Sequence, residues 1–136
     1  MKSYFFVPAS KLNKLQDITK KGIEKIIIDF EDAILSNDRE RHLKEFLKIE
    51  NFRELWVRVP LRAEFNDDID IGFLTKAYRL GIRNIVLPKI ISSRELVEIL
   101  LLFLKSNFLL LIEHPRLLCE NPSDADGNNI YLVTIT

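Results

Sequence analysis

IIIDFEDA, Ile26–Ala33, sets a run of isoleucines directly against Asp29, Glu31 and Asp32, with Phe30 among them. Its first half reads as a buried strand, because a short apolar run of β-branched residues fits a covered parallel sheet. Its second half does not, since ionised carboxylates enter a fold only where they face water or a cation. The junction therefore marks the mouth of a cleft, reached where a strand stops.

Other parts of the chain repeat this organisation. SYFFV (3–7), KIIID (25–29), LWVRV (55–59), NIVLP (84–88) and FLLLI (108–112) are strand candidates. Between them lie amphipathic stretches at helical spacing. Leu12, Leu15 and Ile18 follow Ser10, a candidate N-cap, and precede Gly22, a stop. Leu43, Phe46 and Leu47 follow Asn37 and Glu40, which are spaced like a capping box, and His42 is expected on the solvated face. Phe73, Ala77 and Leu80 precede Gly81; Leu96, Ile99, Leu100 and Phe103 follow a second candidate box, Ser92 and Glu95. These start and stop signals follow from capping chemistry. Alternating strands and helices imply parallel pairing with right-handed crossovers, hence an α/β fold with the first five strands in sequential order.

In such a sheet all strand ends of one kind share an edge. Asp29 and Glu31 end the second strand, Arg58 lies near the end of the third, Lys89 follows the fourth and Glu113 ends the fifth. The C-terminal edge is where both α/β barrels and open α/β sheets bind their ligands. Trp56 shares a strand face with Arg58 and is expected to fill the sheet interior.

Composition narrows the function classes. The chain has 136 residues, 47% hydrophobic, enough for a single domain with a core, and its formal net charge of zero gives no nucleic-acid or anionic-membrane footprint. One cysteine, Cys119, excludes an intrachain disulfide framework and fits a reducing cytoplasm. The most apolar stretch, LVEILLLFLKSNFLLLI, is broken by Glu98, Lys105, Ser106 and Asn107, too often for a membrane span. No phosphate-loop or dinucleotide glycine signature occurs.

SYFFVPAS, IIIDFEDA, LWVRVP, GIRNIVLPKI and LLLIEHP, in this order and over roughly residues 3–118, resemble the HpcH/HpaI aldolase and citrate lyase beta-subunit family. The resemblance implies a partial (β/α)8 TIM-type barrel of about the first five strand–helix units, C-terminally truncated. On this reading 1–136 is a single incomplete barrel domain and 119–136 a divergent C-terminal segment. It implies a Mg2+-dependent carbon–carbon lyase acting on acyl-coenzyme A thioesters or 2-oxo acids. Glu113 would be the metal ligand, and Arg58 would bind a substrate carboxylate or carbonyl. Asp29, Glu31 and Asp32 would orient Arg58 and the metal-bound waters, and Lys89 would bind substrate anions. A homo-oligomer or a partner chain would complete the barrel. Mg2+ and an arginine fork suit this chemistry because a bond broken beside a carbonyl leaves an enolate whose charge they stabilise.

Ala9, Pro60 and His114 depart from the family's usual Gly, Asn and Thr, and ENPSDADGNN into IYLVTIT departs from its later strands. Asp124 and Asp126 read as turn residues. Three other classes are compatible with parts of the pattern: an open-sheet receiver domain, a Schiff-base aldolase using Lys89, and a catalytically inactive ligand-binding or interaction domain derived from the same family.

Overall fold

Strand formation follows the apolar runs nearly residue for residue. The computed structural model describes residues 4–15, 25–31, 36–61, 69–87, 92–112 and 129–134. Within them the strands are β1 (Tyr4–Pro8), β2 (Lys25–Asp29), β3 (Trp56–Arg58), β4 (Asn84–Leu87), β5 (Asn107–Ile112) and β6 (Asn129–Thr134). The α-helices are α1 (Arg39–Phe46), α2 (Gly72–Arg79) and α3 (Ser93–Leu102), and 3-10 turns span Ala9–Lys14, Ser36–Asp38 and Phe52–Glu54. All neighbouring strands pair in parallel, in the order β1-β2-β3-β4-β5-β6. This order bears out the sequential expectation and extends it to the IYLVTIT segment. It also excludes the receiver-type open sheet, whose strand order reverses around its first strand.

Side-chain alternation divides the core in two. Ile26, Ile28, Val57, Ile85, Leu87, Phe108 and Leu110 point to one face, where they pack with Leu43 and Phe46 of α1, Leu74 and Ala77 of α2, and Ile99 and Leu100 of α3. Ile27, Trp56, Val86 and Leu109 form a separate buried cluster. Alternation along each strand assigns it to the opposite face. Sequential parallel strands joined by right-handed crossovers place every described helix on the same side. Both faces are apolar, as the strand sequences require, but the described helices cover only one.

Two of the local signals hold in detail. Ser92 Oγ accepts the Glu95 amide at 3.1 Å while Glu95 Oε1 accepts the Ser92 amide at 2.9 Å, a complete capping box. α2 ends where expected: Gly81 has φ +99°, its amide donates to Tyr78 O, and the Ile82 amide donates to Ala77 O, each at 3.1 Å. These are the paired bonds of a Schellman stop, which calls for a residue in the left-handed region.

Three expectations are corrected. The Asn37–Glu40 box does not form. The Ser36–Asp38 turn runs straight into α1, so Asp38, at the cap position, has helical backbone angles and no capping side chain. A cap needs extended backbone at that position to swing its oxygen onto the first-turn amides. Glu40 instead pairs with Lys76 of α2. Ser10 is not an N-cap either, because its turn starts at Ala9 directly after Pro8. His42, expected in water, is 8% exposed, since α1 packs against the Ala9–Lys14 turn; its Nδ1 lies 3.4 Å from Glu45 Oε2. Ile18 and Gly22 lie outside the described residues. Among the described residues no helix is long and apolar enough to cross a membrane.

Candidate functional site

The register of the sheet brings two of the predicted site residues together. Asp29 ends β2, Arg58 ends β3, and the two are direct partners across the strands. Pro8, Asp29, Arg58, Val86, Leu109 and Tyr131 thus occupy one row across the sheet. Parity along the strands puts Asp29 with Ile27, and Arg58 with Trp56, on the face opposite the helices. An acid and a base stand side by side at the C-terminal ends of β2 and β3.

Their contact is a two-pronged fork. Arg58 Nε donates to Asp29 Oδ1 at 3.1 Å and Arg58 Nη2 donates to Asp29 Oδ2 at 2.6 Å. The side chains are 12% and 9% exposed, so solvent screens the pair poorly. Asp29 Oδ1 also accepts the Glu31 backbone amide at 2.8 Å. The Arg58 guanidinium lies 4.9 Å from the centre of the Phe6 ring, on β1. A guanidinium held at its edge by a carboxylate and at its face by an aromatic ring has little orientational freedom, and its planar donors match carboxylate oxygens.

The segment after β2 is also fixed. The Phe30 amide donates to the Arg58 carbonyl at 3.1 Å. Phe30's side chain is fully buried and its ring packs against Phe46 and Phe73, with centroids 6.1 and 5.1 Å apart. Arg39, the first residue of α1, donates from Nε to Phe30 O at 2.9 Å and from Nη2 to Glu31 O at 3.3 Å. Glu31 is half-buried, with Oε2 shut off from solvent. One step further down the same face, Lys25 Nζ lies 5.1 Å from the centre of the buried Trp56 ring, so Trp56 does fill the sheet interior.

Sequence reasoning singled out Asp29, Glu31 and Arg58 but missed Arg39 and Phe6. Arg39 lies inside the Asn37–Glu40 stretch, which is spaced like a capping box, and Phe6 looks like any strand aromatic. Neither carries a local signal for its contact. Asp32, Lys89 and Glu113, like His114, Cys119, Asp124 and Asp126, lie outside the described residues. Among the described residues, no group of three or more His, Cys, Asp or Glu side chains stands together as a metal site. A groove of about 670 Å3 lined by residues including Leu12, Leu15, Lys48, Asn51 and Leu55 shares no residue with the Asp29–Arg58 patch. Its Lys48–Leu55 wall precedes β3, whereas Arg58 ends that strand. The site is therefore assigned from charge and register, and not from the size of a cavity.

No protein-family model matches the chain, and no curated protein matches it. Solved structures do match, CitE among them. One is CitE from Mycobacterium tuberculosis in complex with magnesium and acetoacetate, with a TM-score of 0.57 at 17% identity, covering 83% of this chain and 44% of that one. Another is CitE from the same organism in complex with magnesium, acetoacetate and coenzyme A, with the same TM-score, identity and coverage of this chain, and 40% of that one. The chain thus spans less than half the length of these structures, and at this identity the likeness is one of fold.

Proposed function

We propose that the chain is a partial (β/α)8 barrel of the citrate lyase beta-subunit type, binding an acyl-coenzyme A thioester or 2-oxo acid for metal-dependent carbon–carbon cleavage. The observation that carries this reading is the Asp29–Arg58 fork on the C-terminal edge of a sheet whose fold is like CitE. Arg58 is the group for a substrate carboxylate or carbonyl oxygen, and Asp29 holds it in place. Glu31 and Asp32 add negative charge at the mouth, and Lys89 binds an anionic part of the substrate. The setting would be cytoplasmic.

Mg2+ belongs to this proposal through Glu113 and the resemblance. Bound there, it would stabilise enolate charge as a Lewis acid. The described residues do not by themselves fit the ion. Both Asp29 oxygens are engaged by Arg58, and Oδ1 also by the Glu31 amide, which leaves the carboxylate poorly disposed to join the octahedral oxygen shell that Mg2+ demands. What the described residues do is orient a planar cation beside the place where negative charge would develop. The same engagement of Asp29 favours a second reading, a ligand-binding domain without turnover.

Calorimetric titration with acetoacetate and with acetyl-coenzyme A, with and without Mg2+, tests the proposal. Binding by the parent chain, weakened about tenfold or more in Arg58→Ala, is the expected result for a lost charge-assisted pair. No binding of either ligand by the parent overturns it. Binding without cleavage of citryl- or malyl-coenzyme A, in the presence of Mg2+, selects the non-catalytic reading.

A further inference from the structure

We infer that Arg39 is a positioning residue for this site: it sets the peptide orientation of Phe30 and Glu31, and through Glu31 the carboxylate that holds Arg58. The inference rests on the ligand-binding reading of Arg58 and names how that group is kept in place.

Both residues that leave β2 are tied at each end. The Phe30 N–H goes to the Arg58 carbonyl and its C=O receives Arg39 Nε. The Glu31 N–H goes to Asp29 Oδ1 and its C=O receives Arg39 Nη2. A carbonyl and the following N–H belong to one rigid plane, so turning a C=O turns the next amide with it. The bond from Arg39 Nε to the Phe30 carbonyl therefore fixes the direction of the Glu31 N–H, the same group that Asp29 Oδ1 accepts. Asp29 is in turn the two-pronged partner of Arg58. The chain of contacts runs from the start of α1 to the guanidinium at the end of β3 without a gap. Phe30's buried ring anchors the segment in the core, but a ring in the core fixes a Cα and not the rotation of the peptide after it.

Arginine is suited to this task because one guanidinium can serve two adjacent carbonyls, whereas lysine presents a single ammonium. Arg41 supplies an internal control. It is two positions further along α1, its side chain is 65% exposed, and it pairs with Asp38 at 3.5 Å. Removing its charge perturbs the same end of the helix without touching Phe30 or Glu31.

The test compares Arg39→Gln with Arg41→Gln in the full chain by two readouts. The first is NMR of the Glu31 amide and of the Arg58 Nε–H, both donors to Asp29. The second is calorimetry with acetoacetate. In Arg39→Gln the Glu31 amide should move upfield, and the Arg58 Nε–H should exchange with solvent about tenfold faster, as a weakened charged hydrogen bond requires. Acetoacetate affinity should fall with it, and Arg41→Gln should change neither signal. If Arg39→Gln fails to fold, Arg39→Lys takes its place, with a smaller shift of the same two signals expected. Glu31 and Arg58 signals in the Arg39 variant that match those of Arg41→Gln overturn the inference. A parent chain that binds no acetoacetate overturns the ligand-binding reading, while the NMR comparison still decides the role of Arg39.

Discussion

Replacing Asp29 by Ala removes both carboxylate bonds of the Arg58 fork from a pair that is largely buried. Breaking one partner of a buried pair costs about 3–5 kcal/mol, largely because the surviving charge is stranded. The lost acceptor for the Glu31 amide adds about 1 kcal/mol. The pair sits at a strand end with 12% and 9% side-chain exposure, so some water reaches it and the total falls to the lower part of that range, about 3 kcal/mol. That is a large share of the roughly 5–15 kcal/mol by which a domain of this size is stable. Arg58→Met should cost a similar amount, whereas from its sequence position Arg58 reads as a ligand-binding group whose removal spares the fold. The double variant Asp29→Ala/Arg58→Met should recover much of the loss, because no charge is left behind. Urea unfolding of the parent, both single variants and the double variant closes a double-mutant cycle with an expected coupling of about 2 kcal/mol. Single losses under about 0.5 kcal/mol that simply add would show the fork behaving as an exposed surface bridge, and the reasoning about the site would fail with it.

Ser92→Ala removes the side-chain half of the α3 capping box and should cost about 1 kcal/mol in the same assay; an unchanged midpoint would mean that the turn is held from elsewhere. Gly81→Ala places a Cβ at φ +99°, 3.4 Å from Arg53 Nε, and should destabilise by about 1 kcal/mol or more, read as a lower thermal midpoint. Glu40 is held below its ordinary value of 4.5, chiefly by the hydrogen bond from Lys76, then by the charges of Lys76 and Lys44. A depressed carboxylate contributes stability that is present above the unfolded value and lost as pH falls through the folded one. Glu40→Gln should accordingly reduce the slope of stability against pH below about 4.5 and leave it unchanged at neutral pH, by a small amount because the group is fully exposed. A parallel acid profile for parent and variant would refute that assignment.

What the sequence determined by itself is what depends on near neighbours along the chain. The run KIIID became β2 with its boundaries unchanged, and Ser92 with Glu95 formed the box that their spacing announces. Gly81 closed α2 in the only backbone region that such a stop allows without strain. Parallel order followed as well, because right-handed crossovers between alternating strands and helices leave few other arrangements. Local signals failed where a partner from elsewhere competed. Glu40 meets Lys76 across two helices instead of capping its own, and His42 is buried on a helix that packs against a turn its own sequence does not mention. The site was legible as a set of charged residue types at strand ends and not as a geometry. Asp29 and Arg58 are 29 positions apart, and a register shift of one residue would send one of them to the helix-bearing face. Arg39 illustrates the same limit: its two bonds go to backbone carbonyls, which every residue carries, so no side-chain pattern records them. Tertiary structure alone decided which acid meets Arg58, because strand pairing, set by how both faces of the sheet bury their apolar rows, fixes the register.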